Sequence, residues 1–142
     1  MKSRILLLFI AFSTILVSCK KDNNVDPLPD AKKQIIGTWK LQSATAVAYD
    51  ASGKEVDRET ESAGEDVKFQ FVNESSGIIL TSNNEPFTYT ITSINGKITL
   101  AVLTESYQVS FNNSTMTWTL EEQYDDKAYA KKILTYQFTK LL

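Results

Sequence analysis

Phe87-Thr88-Tyr89-Thr90-Ile91-Thr92-Ser93-Ile94-Asn95-Gly96-Lys97-Ile98-Thr99-Leu100-Ala101-Val102 decides the fold class of this chain. Phe87, Tyr89 and Ile91 alternate with three threonines, a period of two that belongs to a strand with one buried face. Asn95-Gly96 follows. Both residues tolerate positive φ, as a tight two-residue hairpin turn requires. Ile98, Leu100 and Val102 then return on one face. Two strands and a tight turn, with one side apolar, describe an antiparallel sheet facing a core.

The same period runs outward in both directions. Phe69 and Phe71 share a face, with Lys68 and Gln70 opposite. Tyr107, Val109 and Phe111 alternate with Gln108 and Ser110. Met116, Trp118 and Leu120 alternate with Thr115, Thr117 and Thr119, and Leu134, Tyr136 and Phe138 close the series. Turn residues separate the runs at Asp50-Ala51-Ser52-Gly53, Asn73-Glu74-Ser75-Ser76-Gly77, Asn83-Asn84-Glu85-Pro86 and Asn112-Asn113-Ser114. Tyr124-Asp125-Asp126-Lys127 is read as a further turn, between strands at 114–123 and 129–140. Short strands joined by tight turns predict an all-β domain over residues 34–142. It is an antiparallel meander of eight or nine strands that closes into a barrel or folds into a sandwich.

The N-terminus carries an address. Lys2 and Arg4 precede an uncharged, mostly apolar run from Ile5 to Val17. Basic, apolar, then small residues is the order of a secretory signal. The run is shorter than the roughly 20 apolar residues a bilayer-spanning helix needs. It ends Leu16-Val17-Ser18-Cys19, which resembles the lipobox of bacterial lipoproteins. The resemblance implies cleavage before Cys19, removal of residues 1–18, lipidation of the Cys19 thiol, and acylation of the new amino group. Two or more acyl chains anchor stably, at about 0.8 kcal/mol per buried methylene. Lys20 at the second mature position, where Asp would retain an enterobacterial lipoprotein at the inner membrane, resembles outer-membrane sorting. Residues 19–33 read as the lipidated Cys followed by a polar, Pro-containing flexible linker. Within it, Asp30 is a candidate cap for a short helical turn over Ala31 to Ile35.

Composition narrows the chemistry. Loss of residues 1–18 leaves 124 residues with thirteen cations against seventeen acids, a charge of −4. An acidic surface argues against nucleic acid, which is bound through basic patches. The chain has no His and only one Cys. It therefore has no intramolecular disulfide, no Ser-His or Cys-His nucleophile pair and no Cys/His zinc site. No cofactor and no metal are expected. Glu121-Glu122 and Asp125-Asp126 are the acidic pairs open to acid–base chemistry. Neighbours in a strand point to opposite faces, so Glu121 and Glu122 cannot serve one substrate. The reading is non-catalytic.

Ile35-Ile36-Gly37-Thr38-Trp39-Lys40-Leu41 opens the domain. It resembles the Gly-x-Trp start of the lipocalin first strand. Placed after a lipobox and a polar tether, and before an aromatic last strand Tyr136-Gln137-Phe138-Thr139-Lys140-Leu141, it is similar to small lipocalin-like lipoproteins of Bacteroidota. The resemblance implies a lipocalin-like barrel whose closed end is plugged by Trp39 beside Gly37, with Lys140 as the basic residue packed over the ring.

Three functions are weighed. A barrel of eight strands is either filled by side chains or just wide enough for one small ligand. The second case is the one expected, with Phe69, Phe71, Phe87, Tyr89, Tyr107, Phe111, Trp118 and Tyr136 lining a site for a small apolar molecule; the first is the alternative. In the first they are core, and the protein is an envelope interaction lipoprotein docking a protein partner through its loops. The acidic segment Lys54–Asp66 is then the candidate contact for a basic partner or a cation, beside the plainer reading of a solvated hairpin. The third function, catalysis, is the one least favoured.

Overall fold

A computed structural model describes residues 26–63 and 67–142. The signal segment, Cys19, the first part of the tether, Glu65 and Asp66 lie outside the described residues.

The order is one helix and nine strands: α1 (Leu28–Ile35), β1 (Gly37–Tyr49), β2 (Glu55–Ser62), β3 (Lys68–Phe71), β4 (Ser76–Leu80), β5 (Glu85–Ile94), β6 (Lys97–Val102), β7 (Glu105–Asn112), β8 (Thr115–Gln123) and β9 (Lys131–Leu141). Every strand pairing is antiparallel. From β3 to β9 each strand pairs with the next, and β1 pairs with both β3 and β9. Eight strands, β1 and β3 to β9, thus close a barrel consistent with a lipocalin-like fold. β2 is the ninth strand and stands outside it.

The deciding hairpin forms β5 and β6. Phe87, Tyr89 and Ile91 are buried and the threonines between them exposed. Asn95 and Gly96 take φ of +52° and +74°, both left-handed, as the two-residue turn demands. Ile98, Leu100 and Val102 are buried on the return. Burying such a side chain fully stabilises by about 1.5–3 kcal/mol, so this face fixes the register.

β1 is long, and its two halves do different things. Gly37–Lys40 pairs with β3 inside the barrel wall, and Ser43–Tyr49 pairs with β2 above it. Its other edge follows β9 from Thr38 to Tyr49, with a bulge between Leu41 and Ser43. The upper parts of β8, β9 and β1, with β2, therefore rise above the other strands as a tall wall. On the opposite side the barrel stops at the short β6–β7 turn, where Leu103 takes φ +57°.

The opposite end is closed. The linker expected through Lys33 is helical from Leu28, and α1 lies across the barrel floor with Ala31 and Ile35 buried. Asp30 does not cap it. The helix starts after Pro27 with no side-chain cap, and Asp26 Oδ1 accepts from the Leu28 N–H at 3.0 Å. The helix persists because Ile35, fully buried, and Ala31 seal the core, and because Lys32 pairs with Glu74 at 2.8 Å.

Candidate functional site: the barrel mouth

At the floor, the Trp39 indole N–H donates to the Ile35 carbonyl at 2.7 Å. Lys140 Nζ lies 5.1 Å from the centre of the Trp39 ring and donates to the Gln34 carbonyl at 2.9 Å. Gly37 has φ +124°, and a Cβ there would come within 2.9 Å of Lys140 Cε. Phe111 packs here, 6.0 Å from Trp39, away from the other candidate lining residues.

Those others form one continuous stack. Phe71 meets Phe87 at 5.4 Å and Tyr89 at 4.9 Å. Phe69 meets Phe87 at 5.9 Å and Trp118 at 5.3 Å. Trp118 meets Tyr107 at 5.2 Å and Phe138 at 4.5 Å, and Tyr107 meets Tyr136 at 5.9 Å. These are contact separations for tilted and edge-to-face rings. The rings touch one another rather than surrounding a space. Gly77 marks how tight the packing is, since a Cβ there would fall 2.4 Å from Phe87 Cζ. Tyr89 gives its hydroxyl proton to the Asn73 carbonyl, and burial pushes its pKa up to about 12. Burial also raises Tyr107, helped by the neighbouring Tyr136 and Glu105.

The cavities among the described residues include a groove and a cleft. The groove, of about 690 Å³, runs over the outer wall, past Val72, Ile78, Pro86 and Leu103. The cleft, of about 270 Å³, separates Pro27, Asp30 and Gln34 of the helix region from Ile98, Val109 and Phe111. Phe87 of the ring stack also lines the groove, and Phe111 lines the cleft.

The mouth is built by the tall wall. Residues opposed in an antiparallel pair share a face. Trp118 is opposite Tyr136, Tyr136 opposite Ala44, and Ala44 opposite Glu61. The next row upward is Leu120, Leu134, Ala46 and Glu59, and the row above it Glu122, Lys132, Ala48 and Asp57. Trp118 is inside the barrel, so all three rows continue its inner face. Phe69, Tyr107 and Tyr136 are half-buried beneath them, as are Leu120 and Leu134. Leu120 and Leu134 read from their alternation as core residues and not as mouth residues, because they only extend strands already assigned to the core. The inward row Asp57, Glu59 and Glu61 was equally hidden, since every residue of β2 is exposed and no apolar alternation marks its faces.

Glu121 and Glu122 occupy opposite faces of β8, as the strand period requires. Glu122 accepts from the Tyr124 hydroxyl, which raises the Tyr124 pKa to about 12. Asp126 Oδ1 accepts from the Ala128 N–H at 2.8 Å within the β8–β9 loop. Among the described residues, no group of three Asp, Glu, His or Cys is placed to hold a metal ion, and no helix is long and apolar enough to cross a membrane. The chain matches no family model, no curated protein and no solved structure.

Proposed function

We propose that this is a lipid-anchored protein of the bacterial cell envelope whose barrel is filled by its own side chains and which docks a protein partner at its open rim. The observation that carries the reading is the ring stack. All eight candidate lining residues are spent on contacts with other aromatic rings, seven of them in one stack, at centroid distances of 4.5–6.3 Å. A filled barrel works through its surface. The tall wall presents an acidic face above half-buried rings, where a partner can engage both charge and apolar area.

The anchor rests on the sequence Leu16-Val17-Ser18-Cys19, with Lys20 favouring the outer membrane. The reading is non-catalytic and needs no cofactor. Cys19→Ser is expected to move the protein from the membrane to the soluble fraction; retention in membranes after a high-salt wash contradicts the anchor. For docking, a photo-crosslinking residue is placed in intact cells at Glu59 on the rim or at Thr90 on the outer wall. One discrete adduct from Glu59 and none from Thr90 is the expected result. Adducts from neither position, or equally from both, contradict it.

A second reading, a small apolar ligand in the mouth, is favoured by one feature. Trp118 is 4% exposed and its indole N–H has no hydrogen-bond partner. A buried donor left unpaired costs about 1–3 kcal/mol, and a ligand acceptor reaching it would recover that. Tyr107 and Tyr136 would have to part to admit one.

A further inference from the structure

We infer that the outer edge of β2 is a strand-addition site for an extended partner segment with a cation at every second residue. The inference rests on the docking reading and names the partner's chemistry.

Three observations carry it. The first is the edge itself. β2 pairs with β1 alone, and among the described residues no strand covers its other side. All eight of its residues are exposed. The second is which backbone groups are free. The Ala63 N–H donates to the Gln42 carbonyl at 2.9 Å, so Ala63 points its amide at β1. Antiparallel strands alternate in this respect. Glu61, Glu59 and Asp57 therefore also face β1, and Arg58, Thr60 and Ser62 turn their backbone outward; the Arg58 N–H is taken by Asp57 Oδ1 at 2.9 Å, which leaves the edge groups of Thr60 and Ser62 open to a partner. The side-chain bond between Thr45 and Thr60, 3.1 Å, fits a pair of the non-hydrogen-bonded kind, in which side chains lie closest.

The third is charge. Asp57, Glu59 and Glu61 stand on one face of the strand, two residues apart. The nearest cation on that face by register is Lys132, two strands away from Asp57. The guanidinium of Arg58 is held by Glu55, with bonds of 2.9 and 2.7 Å. A strand added to the edge sets its side chains directly beside those of β2, where opposite charges stabilise and like charges repel. A second copy of β2 in two-fold pairing would bring acid against acid, so the edge is closed to its own kind, a common defence of exposed edges. It stays open to a segment whose alternate residues are Lys or Arg. The backbone supplies affinity and the alternation supplies specificity, as in strand addition generally.

The test uses the ¹⁵N-labelled full chain in detergent micelles and two peptides of one composition. Ac-KTKVKTK-NH₂ alternates its lysines, whereas Ac-KKKKTVT-NH₂ carries them in a block. Amide hydrogen exchange is read at Thr60 and Ser62. The alternating peptide is expected to slow it by about tenfold or more and the block peptide to leave it unchanged. Glu59→Lys with Glu61→Lys, both on an exposed strand, is expected to abolish the effect without altering exchange at Leu100 or Met116 in the barrel. Equal slowing by both peptides would reduce the site to diffuse charge attraction and overturn the inference, as would no slowing by either. Crosslinking from Glu59 that still captures one partner would then leave the docking reading standing without the edge.

Discussion

Lys140 closes the barrel floor over Trp39. Its ammonium sits 5.1 Å from the ring centre and bonds the Gln34 carbonyl near the end of α1. One side chain thus joins the last strand, the first strand and the helix. Lys140→Met keeps the stem and removes the charge, and is expected to cost about 1 kcal/mol, seen as a lower urea midpoint at unchanged slope. Gly37→Ala is expected to cost more, about 2 kcal/mol, because φ of +124° strains any residue with a Cβ. Cutting Lys140 back to Ala relieves the contact with that Cβ but not the strain, so Gly37→Ala remains destabilising in that background.

Gly77 is limited by space rather than by φ. An added methyl would stand 2.4 Å from Phe87 Cζ and 2.6 Å from the Gln70 carbonyl oxygen. The ring can rotate but the carbonyl belongs to the barrel wall. Gly77→Ala is expected to cost about 3 kcal/mol, and Phe87→Leu in the same chain is expected to restore only part of it. Full recovery of the urea midpoint in the double variant would show that the ring alone sets the limit.

The β6–β7 turn offers a gain. Leu103 holds a left-handed φ of +57° and is 68% exposed, so it has strain and little burial to offset it. Leu103→Asn, a residue that tolerates this region, is expected to stabilise by about 0.5–1 kcal/mol. A fall in thermal midpoint would mean that the apolar side chain matters to the outer-wall groove.

Tyr89 predicts a pH dependence. Its proton is held more tightly in the folded chain, with the pKa moved from 10.0 to about 12 by burial. The unfolded chain releases that proton first, so rising pH favours unfolding. The contribution is complete below about pH 10 and is lost between about 10 and 12. Denaturant titrations of Tyr89→Phe are expected to show a shallower loss across that window than the parent chain. Parallel curves would contradict the assignment.

The barrel strands were legible because they obey one rule: buried positions such as Phe87, Tyr89 and Ile91 alternate with threonines, and Asn95-Gly96 marks its own turn. The helix was not. Leu28, Ala31 and Ile35 do have helical spacing, but three positions among Pro, Asp and Lys give a weak signal, and only the barrel floor they seal makes the segment a helix. β2 was legible as a polar segment and not as a wall, because backbone pairing with Ser43–Tyr49 leaves no apolar trace. The turn at Leu103 carries no Gly or Asn and sits where the strand pattern alone ends. Aromatic residues were legible as inward-facing. Whether they line a space or fill it depends on ring-to-ring distances that no linear pattern encodes.

The indole N–H of Trp118 measures the central claim most directly. The chain has two tryptophans, so its ¹H–¹⁵N spectrum carries two indole resonances. A filled barrel predicts that the Trp118 resonance stays at the position of an unbonded N–H when decanol or decanoate is added to the full chain. A saturable downfield shift at one equivalent would mean that an acceptor has reached the ring stack, and the barrel would be a ligand site rather than a filled scaffold.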